Sequence, residues 1–335
     1  MSLLRRVIRK AETIKDQYFP LKEFDKSTLP WIDQENPDIA GFLKNHPPRY
    51  DVPYDMADKL RNWQQNGYVV LENIIPEAMI DKFWGDFREL VSHPEKYDLS
   101  VRIDLEEFKP NQERNIKEFP KDALQGKYVK INDFHNSSVA GKKLMTHPYI
   151  VSFLEAIFNE KVVVMQSLVF MYGSQQPSHQ DFPWVTAKIP SHLAAAWIAL
   201  EDIKIDSGPL YYYIGSHKMP KFNFGSGILF KPDSTKTPLE FADYLDKTSA
   251  DLKLPKETLL IKKGDVLIWH AALAHGGSMI TNLDQTRKSF VCHYSTEKAL
   301  PFHRNFPTQV PVKQDYNGVY IYNNPNLPQS EDVLK

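Results

Sequence analysis

A chain of 335 residues, 42% of them hydrophobic, can bury a sizeable core as one large domain or two small ones. A formal net charge of −1 and a pI near 6.8, with no long run of like charge, argue against a nucleic-acid groove or an anionic membrane surface and leave small-molecule chemistry. The single cysteine, Cys292, excludes an internal disulfide and any site built from several thiolates, and it suits a reducing compartment.

The opening stretch MSLLRRVIRKAETIKDQYF reads as an amphipathic helix. It lacks a signal-length apolar core, and Glu12 and Asp16 oppose an organelle transit peptide, so a cytoplasmic protein is expected. Proline-rich polar stretches, LPWIDQENPDIAG and NHPPRYDVPYD, make residues 1–53 a helix and extended arm ahead of a main domain over 54–310, with 311–335 as a tail. A helix from Met56 to Gln65 stops at Asn66-Gly67, and YVVLENII follows as a buried strand bounded by Pro76. PEAMIDKFWGDFRELV is a second amphipathic helix. Residues 95–127 are charged and irregular, with Glu106 and Glu107 on a solvated face, and a helix or two fall between 139 and 159.

Strands then dominate. KYVKINDF, KVVVMQSLVFMY, HLAAAWIALEDI, GPLYYYIG, TLLIKKGDVLIWH and KSFVCHYS are short β-branched or aromatic runs punctuated by turn formers. The fold expected is mainly β, a barrel or sandwich core with flanking helices. Residues 217–256 interrupt the strand rhythm and are expected to form a lid or binding loop. No apolar run approaches the roughly 18 residues of a membrane span.

The chemistry starts at PSHQDFPW. On an extended segment His179 and Asp181 share one face. GDVLIWHAALAHGGS supplies a third ligand, either His270 or His275. Two histidines and one carboxylate on one face of iron(II) leave three open positions, the arrangement of non-heme iron oxygenases. An organic 2-oxo acid would fill two of them, and its far carboxylate needs a cation. Arg287 offers a bidentate fork, and Arg287, Ser289, Val291 and His293 share one strand face, so Arg287 and Ser289 can grip one carboxylate together.

Six segments in order, NGYVVLENIIPEAMID, YVKINDF, HQDFPW, SGPLYYYIGSHK, GDVLIWHAALAHGGS and RKSFVCHYS, resemble the phytanoyl-CoA dioxygenase family of iron(II)- and 2-oxoglutarate-dependent oxygenases over about residues 55–300. The resemblance implies a double-stranded β-helix, or jelly-roll, with iron at its open end. It implies His179, Asp181 and His275 as iron ligands and Arg287 for the far carboxylate of 2-oxoglutarate, with Lys130 and Trp197 also lining the cofactor pocket. Dioxygen is the other co-substrate, and succinate and CO2 are the co-products. The chain departs from the family's frequent His-Gly-Ser order, since His275 is followed by Gly276, Gly277 and only then Ser278. Because Asp181 is intact, where related halogenases carry a small residue, the resemblance implies hydroxylation.

Phe182, Trp184, Tyr211, Tyr213 and Trp269 are candidate pocket walls, and Lys218, Lys221 and Lys231 are candidate partners for the phosphates of a CoA thioester. A lipid-like molecule, an acyl-CoA or a natural-product intermediate is the expected substrate class. The rival reading is a non-catalytic metal-binding jelly roll, which gives Arg287 no role. A zinc hydrolase is disfavoured, because the sequence has no HExxH signature.

Overall fold

A computed structural model describes residues 21–103, 113–125, 129–301 and 313–322. The opening helix and the face bearing Glu106 and Glu107 lie outside the described residues.

Among the described residues six helices flank thirteen strands. The strands are β1 (Tyr68–Leu71), β2 (Ser100–Ile103), β3 (Glu113–Asn115), β4 (Val129–Asn132), β5 (Val162–Phe170), β6 (Leu193–Ala199), β7 (Leu210–Tyr213), β8 (Lys256–Thr258), β9 (Val266–His270), β10 (His275–Gly277), β11 (Ser289–Thr296), β12 (Lys313–Tyr316) and β13 (Val319–Tyr322). The larger sheet runs β1-β9-β6-β11-β5-β4-β2-β3, with β13 joining β5 and carrying β12; the smaller runs β10-β7-β8. Every pairing is antiparallel except that of β13 with β5. This is the jelly-roll architecture.

The period-two alternation of the strands decides which side chains face the interior between the sheets. Along β6, Ala195, Trp197 and Ala199 join Leu267 and Trp269 of β9, Val291 of β11, and Leu210 and Tyr212 of the smaller sheet in one apolar cluster. Ala194, Ala196 and Ile198 point the other way, into the core beneath the helices.

That outer core is built by helices with clear sequence causes. Helix α1 spans Ile39–Asn45, α2 Met56–Asn66, α3 Glu77–Ser92, α4 Val139–Met145, α5 Pro148–Phe158 and α6 Pro238–Asp251. In α2, Met56, Leu60 and Trp63 recur at helical spacing and are buried; Asp55 caps the start, and Gly67 ends it at φ 83° in the left-handed region. Thr237 and Glu240 form a capping box on α6, with Pro238 in its first turn.

Two stretches differ from the sequence reading. The segment before residue 54 is more than an extended arm: it contains α1, Ile32 is fully buried in the helix-side core, and Trp31 Nε1 donates to Ala156 O at 2.8 Å. Residues 313–322, read as tail, form a hairpin whose Val319 and Ile321 are buried. Their alternation in VYIY was legible but too short to stand out. The 217–256 insertion packs Phe222, Phe224 and Phe241 against Tyr213 and Ala274, so it is seated on the edge of the smaller sheet.

Candidate metal and co-substrate site

His179 and His275 approach as an antiparallel bridge between the loop after β5 and the start of β10. Each backbone N–H donates to the other residue's carbonyl, at 2.8 and 2.9 Å. Their rings lie 4.3 Å apart. In each ring Nδ1 sits 2.9 Å from a backbone carbonyl two residues back, Pro177 O for His179 and Leu273 O for His275. That contact places the proton on Nδ1 and leaves the Nε2 lone pair free for a metal.

Asp181 is fixed from the other side. Its N–H donates to Ala271 O, 2.9 Å, and Trp269 Nε1 donates to Oδ2, 2.8 Å. Oδ1 faces both rings, 3.8 Å from His179 Nε2 and 3.7 Å from His275 Nε2. The three donor atoms lie within 4.8 Å of one another and could hold a metal ion. Burial pushes the His179 imidazole down to about 4, with His275 adding to the effect, so the ring is neutral at pH 7. Burial alone would raise the Asp181 carboxyl, but His275, His293 and His179 outweigh it and hold it well below the usual range. A neutral His179 imidazole and an ionised Asp181 carboxylate suit a divalent ion.

His270 goes elsewhere. Trp269 faces the interior, so its neighbour on β9 faces the helices. There Nε2 is 3.3 Å from Asp33 Oδ2, and Nδ1 accepts from Ala272 N at 2.9 Å. It is a satisfied core histidine.

The triad opens onto a cavity whose far wall carries Arg287, Trp197, Phe170 and Val291. Arg287 is only 2% exposed, and among the described residues its one side-chain hydrogen bond runs from Nη1 to Gly208 O at 3.4 Å. Among the described residues its Nε has no partner, nor do the buried Trp197 Nε1 and Ser289 Oγ nearby in the sheet. The guanidinium carbon stands 5.5 Å from the Trp197 ring and 5.9 Å from that of Phe170. Burial pulls the Arg287 guanidinium down to about 10, so it remains charged at pH 7. A buried cation without a carboxylate partner is costly in isolation, and the unpaired donors match an anion brought in from outside. Lys130 on β4 is half-buried, and its charge is felt at His179. Ser278 donates its N–H to Pro209 O and does not line the cavity.

Of the five aromatic candidates only Trp269 lines this cavity. Phe182 packs on Phe24 at 4.9 Å, Trp184 lies tilted against Phe230 at 4.5 Å, and the Tyr211 and Tyr213 hydroxyls engage Ser178 and Asp246. Sequence reasoning missed the contacts of Trp269 and His293 with Asp181; His293 Nε2 is 3.3 Å from Oδ2. The signal was available for His293, which shares a strand face with Arg287.

The sequence model of the phytanoyl-CoA dioxygenase (PhyH) family matches residues 63–289. The chain belongs to that family. It is 22% identical over 274 residues to the human protein named phytanoyl-CoA dioxygenase, peroxisomal, covering 75% of this chain and 72% of that one. Solved structures share the fold. EctD from S. alaskensis, crystallised with 2-oxoglutarate and 5-hydroxyectoine, superposes with a TM-score of 0.58 at 15% identity, covering 89% of this chain and 94% of its own. The non-heme α-ketoglutarate-dependent epimerase SnoN from nogalamycin biosynthesis gives 0.55 at 17% identity, covering 80% and 98%. This member of the PhyH family is an iron(II)- and 2-oxoglutarate-dependent oxygenase. No described helix is long and apolar enough to cross a membrane.

Proposed function

We propose that His179 Nε2, Asp181 Oδ1 and His275 Nε2 hold iron(II), and that Arg287 binds the far carboxylate of 2-oxoglutarate with hydrogen bonds from Trp197 and Ser289. The observation that carries this reading is the buried, acid-free Arg287 facing the same cavity as the triad. Lys130 adds positive charge on the His179 side.

When bound, iron(II) with 2-oxoglutarate and dioxygen supplies the oxidant that turns a C–H bond into C–OH, with succinate and CO2 as co-products. The chain's part is placement. Backbone carbonyls lock the two imidazoles, Trp269 turns Asp181 so that one oxygen faces them, and the apolar walls of Leu168, Phe170, Leu210 and Val291 exclude water. Asp181 occupies the position that a halide would need, which favours hydroxylation of an unactivated carbon.

The substrate is a small lipid-like molecule, acyl-CoA or natural-product intermediate, with the 217–256 insertion as its cover. Lys221 does not suit CoA phosphates, because its ammonium already donates to His217 O and Met219 O at 3.0 and 2.8 Å. A CoA group would fall to Lys218 and Lys231. A cytoplasmic location remains the reading, resting on the lone buried thiol of Cys292.

The test is succinate release with iron(II), 2-oxoglutarate and air across a panel of free fatty acids, their CoA thioesters and polar small molecules. At least one class is expected to raise succinate above the substrate-free rate, and Asp181→Ala abolishes it. Succinate production that never exceeds the Asp181→Ala background contradicts the reading.

A further inference from the structure

Asp181 Oδ2 has a second neighbour whose surroundings are organised for it. His293 lies on β11 and is 3% exposed. Its Nε2 is 3.3 Å from Asp181 Oδ2, at ion-pair distance though not aligned for a hydrogen bond, and its Nδ1 is 3.2 Å from Gln166 Nε2 on β5. The Gln166 contact selects the tautomer: its amide presents N–H to Nδ1, so Nδ1 is the acceptor and the ring proton sits on Nε2, on the side of the Asp181 carboxylate.

The strands show how both side chains reach the same place. His293 and Gln166 are direct partners in the β11–β5 register, and the register slips immediately afterwards, Tyr294 pairing with Val164 so that Met165 is the extra residue. Such a bulge re-aims side chains and is frequent beside functional sites. It leaves Val163 and Met165 in a separate apolar cluster while Gln166 and His293 face inward.

We propose that His293 is a positioning residue for the metal. Held by Gln166 across the bulge, it joins Trp269 in pinning Asp181 Oδ2, so that Oδ1 alone is presented to the ion. The inference rests on the assignment of Asp181 as a ligand made above. Trp269 donates along one direction at 2.8 Å, and His293 blocks rotation of the carboxylate about its own axis from another strand. Without His293 the carboxylate can rotate toward a two-oxygen, less directed grip. Outer partners of metal ligands typically change affinity by about 10- to 100-fold. With Trp269 still in place, the lower end applies.

The test titrates the metal-free protein with iron(II) alone, anaerobically, following intrinsic fluorescence; Trp269 is the reporter, its ring 5.1 Å from that of His275. His293→Phe fills the space without a donor and is expected to weaken iron(II) by on the order of 10-fold. His293→Gln, whose amide N–H reaches the Nε2 position, restores affinity to within about threefold of wild type, a recovery that a purely space-filling role does not produce. If His293→Phe fails to fold by circular dichroism, Gln166→Leu takes its place, with the same direction and a smaller loss. Wild-type binding with an unchanged constant in the donor-free variant overturns this inference alone. Failure of wild type to bind iron(II) overturns the ligand assignment with it.

Discussion

Replacing Arg287 with methionine separates two effects that are normally confounded. The guanidinium is buried, has no carboxylate within reach among the described residues and makes one long bond to Gly208 O. Burial pulls it down from its ordinary value to about 10, which corresponds to roughly 3 kcal/mol of unfavourable environment at 1.36 kcal/mol per pH unit. Removing the charge therefore leaves the metal-free, ligand-free protein as stable as wild type or more so, because no carboxylate is orphaned and only the long bond to Gly208 O is lost. The opposite holds once a carboxylate is seated. Truncating one member of a buried hydrogen-bonded charge pair costs about 2–5 kcal/mol, and each 1.4 kcal/mol is tenfold in affinity. The Kd of 2-oxoglutarate on the iron-loaded protein should rise by about 100- to 1,000-fold, measured by anaerobic calorimetry. Pyruvate, which has the near carboxylate and keto group but no far carboxylate, serves as the internal control. Its weak binding should be nearly unchanged, so the preference for 2-oxoglutarate collapses in Arg287→Met. A variant that binds 2-oxoglutarate within threefold of wild type, or keeps its preference over pyruvate, refutes the reasoning.

The metal-free protein should lose stability as pH falls from 6.5 toward 4. His179 and His147, both held near 4 by burial, would take up protons in the unfolded chain first, each giving a slope of up to about 1.4 kcal/mol per pH unit. Their contribution is complete above 6.5 and is lost across this window; denaturant melts at pH 7, 6, 5 and 4.5 check it, and a flat profile contradicts the burial argument. His270→Ala should leave iron(II) affinity within twofold while lowering stability by about 1–3 kcal/mol, since it strips buried partners from Asp33 and Ala272 N. Gly276→Ala should damage metal binding, because a Cβ there would meet Tyr211 Oη at 2.5 Å and Gln176 O at 2.9 Å, forcing the strand beside His275 to shift; a fluorescence titration matching wild type would show that the strand has slack.

Local patterns carried much of this fold. The short apolar run LAAAWIA, buried on both faces, and helical spacing in MADKLRNW placed a strand and a helix where they are found, because the signal for each lies in nearby residues. That His179 and Asp181 face one another was legible for the same reason. What local pattern could not supply was register across the sheet. That β6 separates β9 from β11, bringing Trp269 and His293 to one carboxylate, depends on pairings between segments dozens of residues apart. Lys221 looked available because a lysine in a loop is ordinarily solvated, yet its ammonium closes on two carbonyls of its own turn. The choice between His270 and His275 came from resemblance. Strand alternation on either side of Trp269 supplies the physical reason, since β9 sends Trp269 inward and His270 outward before the chain turns back at His275.

The central claim is that one cavity holds iron(II) on His179, Asp181 and His275 and 2-oxoglutarate on that iron and Arg287. The most direct measurement is an anaerobic titration of metal-free protein with iron(II) and then 2-oxoglutarate, recording the visible metal-to-ligand charge-transfer band in wild type, Asp181→Ala and Arg287→Met. The account predicts a band in wild type that saturates at one 2-oxoglutarate per chain, is absent in Asp181→Ala, and in Arg287→Met appears only at far higher 2-oxoglutarate. A wild-type protein that binds iron(II) yet develops no band at saturating 2-oxoglutarate contradicts it.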